Sequence, residues 1–227
     1  MIKKLNWGLL STARINDKII PAINKSKYSN LYAVASNKNR NVKNYAYIRK
    51  IPKYYKSYQE LIKDNNVDII YISTPNHLHA KWIIEAVKEK KHVFCEKPIT
   101  ITINEINKIK KIVSKYGVIV QEANMMRFHP QTMYMRKLLR NNEIGTTRYI
   151  SAIFSINMQN LNDIRFKYKN GGGSLWDLGS YCISFARYIL QKEPRQVFAK
   201  KIHTLGDIKV DASLSGYIVF DGGTEMH

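Results

Sequence analysis

The sequence predicts an α/β protein in two parts. Residues 1–123 should form a doubly wound parallel sheet, and residues 124–227 the start of an α+β domain built on an antiparallel sheet, incomplete at its end. Two observations carry this expectation. Short apolar runs alternate with amphipathic helical periods through the first half, the signature of parallel strands covered on both faces. Near residue 146 that alternation stops, and the later apolar runs take on a period of two. With 227 residues, 44% of them apolar and 24% charged, the chain is long enough to bury a core in each part.

Taken in order, residues 5–10 (LNWGLL), 31–36 (LYAVAS), 68–73 (DIIYIS), 92–95 (HVFC) and 118–121 (VIVQ) read as buried strands. Between them, Trp82, Ile83, Ala86 and Val87 recur at helical spacing, as do Ile106, Ile109, Ile112 and Val113. Gly117 reads as the stop of that second helix. The second part offers strands at 148–158, 195–203 and 214–220 and one helix over about 175–190. Three strands fall short of the usual roughly four to six. The closing DGGTEMH reads as a turn into a further strand, so the sequence is expected to be truncated.

The formal net charge of +20 suggests nucleic acid, but 27 of the 37 basic residues are lysine, scattered along every segment. Phosphate recognition by bidentate forks favours clustered arginine, so no nucleic-acid partner is expected. No apolar run approaches the roughly 20 residues of a membrane span. Asn6, Ser11 and Thr12 break the N-terminal apolar patch, which reads as a first strand rather than a signal peptide, and a cytoplasmic protein is expected. Cys95 and Cys182 lie far apart in apolar segments, without metal spacing, and read as buried thiols. His77 and His79 have no third ligand nearby, so no metal is expected.

A dinucleotide turn joins a first strand to a first helix through G-x-G-x-x-G, so that backbone N–H groups reach the pyrophosphate. Here those positions are Ser11, Ala13 and Asn16. All three glycines are absent, yet Leu10, Ser11, Thr12, Ala13, Arg14 and Ile15 still form a small, hydroxyl-bearing turn suited to phosphate. At the end of the second strand there is no acidic residue between Asp17 and Glu60. Ser36, Asn37 and Lys38 suit a 2′-phosphate instead, so NADP is expected, with NAD as the alternative. The next two strands end at STPNHLHA and CEKPIT, on the ligand-binding edge of such a sheet. Thr74, Pro75 and Asn76 read as a turn with Asn76 as helix N-cap, and His79 as a histidine facing the cofactor. Pro98 disfavours helical backbone at Lys97, which leaves Glu96 and Lys97 extended at the crevice edge, with a cis bond compatible there.

In GGGSLWDLGSYCISF, Ser174 and Asp177 read as an S-x-x-D capping box. Asp177 and Tyr181, four apart, then share one helix face. The glycines are expected to let the backbone pass close to a substrate.

Together, WGLLSTARI, VDIIYISTPNHLHAKW, KKHVFCEKPIT, EANMMRFHPQ and GGGSLWDLGSYCISFARYIL resemble the glucose-fructose oxidoreductase/inositol dehydrogenase (Gfo/Idh/MocA) family. Within it they look closest to the dimeric dihydrodiol dehydrogenase and NADP-dependent xylose dehydrogenase branch. The resemblance implies a Rossmann domain, nicotinamide-dependent oxidation of a sugar, polyol or diol, and a homodimer through the C-terminal sheet. On that basis Tyr181 is the expected acid/base and Lys97 its electrostatic partner, with Asp177 orienting substrate or Lys97. A phenol titrates near pH 10, and an ammonium some 4–6 Å away favours the phenolate. Lowering the pKa by roughly two to three units takes about 3–4 kcal/mol, within reach of a partly desolvated ion pair. Arg127 and Trp176 are expected beside the cofactor and Arg165 and Phe128 beside the substrate, although packing is the simpler account of Phe128 and Trp176. The family also includes non-catalytic members, which keeps a dinucleotide or sugar sensor open as the other reading.

Overall fold

The structure, a computed structural model, describes residues 3–37, 41–203 and 209–227, and Lys38 therefore lies outside the described residues. It divides into two compact units, Met1–Ala123 and Asn124–His227.

The first unit is one sheet of six parallel strands: β1 (Leu5–Leu10), β2 (Ser29–Ala35), β3 (Lys53–Tyr55), β4 (Ile69–Ile72), β5 (His92–Glu96) and β6 (Val120–Ala123). Their order is β3-β2-β1-β4-β5-β6, which puts the topological switch point between β1 and β4. Consecutive strand residues serve opposite faces. Leu10, Ile70 and Ile72 join one core with Trp82, Ile83, Val87 and Ile109, while Leu9, Val34 and Tyr71 join the other with Ile20, Ile23 and Val42. Burial on both faces is why these strands read as unbroken apolar runs.

The helical faces fall where their spacing places them. α4 (His79–Lys88) buries Trp82, Ile83, Ala86 and Val87, each large side chain contributing about 1.5–3 kcal/mol. α5 (Ile103–Tyr116) starts at Thr102, whose hydroxyl accepts the Glu105 N–H, and stops at Gly117 with φ +65°. Around the turns lie α1 (Asn16–Lys25), α2 (Val42–Ile48) and α3 (Tyr58–Lys63). β3 was not foreseen. Its three residues, KYY, sit at the sheet edge and are largely exposed, too short to show a period.

The second unit holds α6 (Pro130–Arg140), β7 (Tyr149–Ile150), a π-helical turn over Leu175–Gly179 leading into α7 (Ser180–Leu190), and the strands β8 (Pro194–His203), β9 (Ser213–Phe220) and β10 (Glu225–Met226). Ala186 and Ile189 of α7 pack on Ile150, Ile218, Phe220 and Met226 of the sheet. The sheet is mixed rather than antiparallel: β8–β9 and β9–β10 are antiparallel, but β10 runs parallel to β7. The strand expected over 148–158 shrinks to β7. Its ladder partner is the short β10, and the last bond runs from the Ala152 N–H to the His227 carbonyl. Beyond it residues 151–160 take no regular form.

Candidate functional site

The turn after β1 is built without glycine, yet Ser11 has φ +137°, a backbone region that favours glycine. Its hydroxyl lies 2.8 Å from the Ser73 hydroxyl and 3.1 Å from the Ser73 carbonyl at the end of β4, and it accepts the Ala13 N–H. Leu10 is fully buried in the core, so it contributes to this turn through backbone alone. Arg14 and Ile15 are exposed, and their N–H groups find no partner among the described residues. α1 then begins with no side-chain cap. A helix start with open N–H groups receives anions.

At the end of β2, Ser36 is buried and Asn37 exposed. The Asn37 side-chain carbonyl accepts the Tyr58 N–H at 2.8 Å, so half of this amide serves the fold. At the end of β4, Thr74 is buried, and its hydroxyl has no hydrogen-bond partner among the described residues. An orphaned hydroxyl just past the end of β4 is a group that a bound nucleotide would satisfy. The open amides and this hydroxyl therefore fit a dinucleotide.

Two expectations in the next turn are corrected. Asn76 is not the N-cap of α4: it opens a 3₁₀ turn, Asn76–Leu78, closed by the Leu78 N–H on the Pro75 carbonyl, and the capping position of α4 falls to Leu78. His79 does not face a cofactor either. It is fully buried, with Nδ1 2.8 Å from the Pro98 carbonyl and Nε2 2.7 Å from the Thr74 carbonyl. Burial pushes its pKa down, against the pull of those two carbonyls. His79 thus ties the turn after β4 to the turn after β5.

That second turn carries Glu96, Lys97 and a cis Lys97–Pro98 peptide bond. Glu96 accepts the Tyr71 hydroxyl at 2.5 Å. Burial raises the Glu96 pKa, while Tyr71 and Lys97 oppose the rise. Lys97 is half-exposed at the carboxyl edge of the sheet.

In the second unit the glycine run has a local cause. A side chain at Gly172 would collide with the Arg165 carbonyl. Gly173 has φ +119°, and a side chain there would enter the Asp211 carboxylate. The expected capping box is corrected as well. Ser174 already has helical backbone and makes no cap; its hydroxyl donates to Asp211 at 2.6 Å, and the Leu175 N–H donates to the same oxygen at 2.6 Å. Asp211, which sequence reasoning missed, is the capping group, and from 36 residues downstream no local spacing announces it.

Asp177 accepts a 2.8 Å bond from Arg165 Nε, and Arg165 also bonds Asp163. The structure therefore brings two of the expected substrate residues together as an ion pair. Tyr181 packs its ring against Phe154 at 5.6 Å. Arg127 lies over the Tyr188 ring. Trp176 is half-buried, whereas Phe128 is 61% exposed. A cavity of about 650 Å³ is lined by Phe154, Arg165, Ser174, Asp177, Asp211 and Ile218, among others; Trp176 and Tyr181 lie outside its lining. Cys95 is buried, but Cys182 is only half-buried, short of the buried thiol expected.

This geometry coincides with a family assignment. The model of the GFO/IDH/MocA oxidoreductase family, NAD-binding Rossmann fold, matches residues 5–124, and that of the GFO/IDH/MocA C-terminal domain matches residues 132–227. The chain belongs to this family. It is 36% identical over 219 residues to D-xylose 1-dehydrogenase (NADP(+)) 2 of Haloferax volcanii, covering 96% of this chain and 66% of that one. It is 31% identical over 220 residues to trans-1,2-dihydrobenzene-1,2-diol dehydrogenase of Xenopus laevis, covering 95% of this chain and 66% of that one. Among solved structures it resembles an aldose-aldose oxidoreductase from Caulobacter crescentus, with a TM-score of 0.91 and 27% identity, over 99% of this chain and 70% of that one. The chain thus spans 66% of the length of these curated relatives. Among the described residues no helix is long and apolar enough to cross a membrane.

Proposed function

We propose that the chain belongs to an NADP-dependent oxidoreductase acting on a hydroxyl of a cyclic sugar, polyol or dihydrodiol. The carrying observation is the strand edge of the first unit, where the Ser11 turn, the orphaned Thr74 hydroxyl and Lys97 all follow the carboxyl ends of β1, β4 and β5. Open N–H groups at Arg14 and Ile15 hold the pyrophosphate, and Thr74 takes a nucleotide hydroxyl. Two features support NADP over NAD: no acidic residue stands between Asp17 and Glu60, and a relative is named for NADP(+).

A nicotinamide held along this strand edge would supply the acceptor for a hydride leaving the alcohol carbon. In our reading Tyr181 removes the hydroxyl proton, and the Lys97 ammonium favours the phenolate that can do so. The carboxylate of Asp177 is paired with Arg165, and in our reading it orients a substrate hydroxyl. Phe198 of β8, 62% exposed, supports a homodimer through the second sheet. The test is a fluorescence titration with NADPH and NADH, followed by assays of NADP⁺ reduction on aldoses, inositols and trans-diols. Tighter binding of NADPH with turnover of at least one of these alcohols is expected. Binding without any turnover would favour a sensor, and no binding of either nucleotide would end the proposal.

A further inference from the structure

The buried groups behind the dinucleotide turn form a closed circuit. Asn16 is fully buried at the first position of α1. Its Nδ2 donates to the Ser11 carbonyl at 2.8 Å and to the Tyr45 hydroxyl at 3.1 Å, and its Oδ1 accepts the Ser73 hydroxyl at 2.9 Å. Since the Ser73 proton is committed to Asn16, the one Ser11 hydroxyl proton is shared between the Ser73 hydroxyl at 2.8 Å and the Ser73 carbonyl at 3.1 Å. The ring therefore runs Ser11 to Ser73 to Asn16 and back to the Ser11 carbonyl, with the Ala13 N–H feeding into it. It joins the ends of β1 and β4, the two strands at the switch point, to α1 and, through Tyr45, to α2.

Ser11 and Asn16 stand where the usual fingerprint has its first and third glycines. A first glycine permits the tight turn, and a third permits close helix–strand packing. Here Ser11 has the turn backbone that glycine would adopt freely, and Asn16 fills the packing space with an amide whose oxygen and nitrogen are both bonded. We infer that the Ser11–Ser73–Asn16 ring replaces the glycine fingerprint, and that Asn16 and Ser73 are positioning residues for the dinucleotide, acting through the backbone of residues 11–15. This rests on the dinucleotide reading above, but it concerns residues that do not themselves touch the nucleotide.

The test compares three variants of the full chain with wild type: Asn16→Ala, Ser73→Ala, and the triple variant Ser11→Gly/Ala13→Gly/Asn16→Gly, which restores the glycine pattern. NADPH dissociation constants are measured by fluorescence, amide hydrogen exchange at Ala13 in wild type and the two alanine variants by NMR, and folding by thermal melting. Loss of a buried polar partner should weaken NADPH binding about tenfold in Asn16→Ala. Ser73→Ala should lose less, and the triple variant should return to within about threefold of wild type. Exchange at the Ala13 N–H, which the Ser11 hydroxyl accepts, should speed up about tenfold in Asn16→Ala. Recovery separates positioning from general stability, because a purely structural asparagine is not rescued by glycine. Asn16→Ala binding NADPH and exchanging like wild type would overturn the inference, as would a triple variant no better than Asn16→Ala. If wild type binds no dinucleotide, the functional proposal fails, and the exchange data alone still decide whether the ring sets the turn.

Discussion

Two turns in this molecule solve the same backbone problem by opposite means. The turn after β1 has no glycine, and side-chain hydrogen bonds hold Ser11 in a backbone region that favours glycine. The turn before α7 has three glycines in a row, two of which give way to the Arg165 carbonyl and the Asp211 carboxylate. In the first case polar groups compensate for a missing glycine. In the second, glycines make room for a polar group. The comparison teaches that a glycine count is a poor guide to how tightly a turn is specified, since either device gives one backbone path.

Breaking the second turn should have the largest effect. Gly173→Ala combines a positive φ with a collision against Asp211, and roughly 2–4 kcal/mol of stability should be lost in urea unfolding. Asp211→Ala removes the acceptor of the Ser174 hydroxyl and the Leu175 N–H and should cost about 1–3 kcal/mol. Asp211→Asn, which keeps one acceptor oxygen, should recover at least half of that, and an equal loss in both variants would dismiss the capping role.

A pH experiment sharpens the contrast from the side of the first unit. His79 is buried with its pKa lowered from 6.5, so the unfolded chain binds a proton there that the folded chain resists. Stability should therefore fall as pH drops below 6.5 and level off below the folded pKa. The contribution is read as the difference between wild type and His79→Gln, and two parallel pH profiles would remove it. The smallest effect is expected at Ser11. Ser11→Gly relaxes the backbone but gives up the hydroxyl's bonds, so the two effects nearly cancel and stability should stay within about 1 kcal/mol.

Much of the fold was legible because its signals are local and periodic. The apolar runs at 5–10 and 92–95 and the stripe of Trp82, Ile83, Ala86 and Val87 each report burial through spacing alone. What escaped was decided by distant partners. The run at 151–158 looks like a strand, yet among the described residues only its start is paired, through β7 and the Ala152 N–H. Ser174 and Asp177 look like a capping box, yet Asp211 takes the cap and Arg165 takes Asp177. His79 was assigned to a cofactor because it follows a strand end, but Thr74 and Pro98 enclose it. Asn16 reads from the sequence only as the residue at a missing glycine and Ser73 as the end of a strand, and only the fold shows them bonded to each other.

The most direct measurement is the turnover of Tyr181→Phe beside wild type, on whichever alcohol wild type oxidises with NADP⁺, together with the NADPH dissociation constant of both. The account predicts that kcat falls by about 10²–10⁴ while the dissociation constant is unchanged, the loss expected for a missing general base. Wild-type kcat in Tyr181→Phe would contradict it.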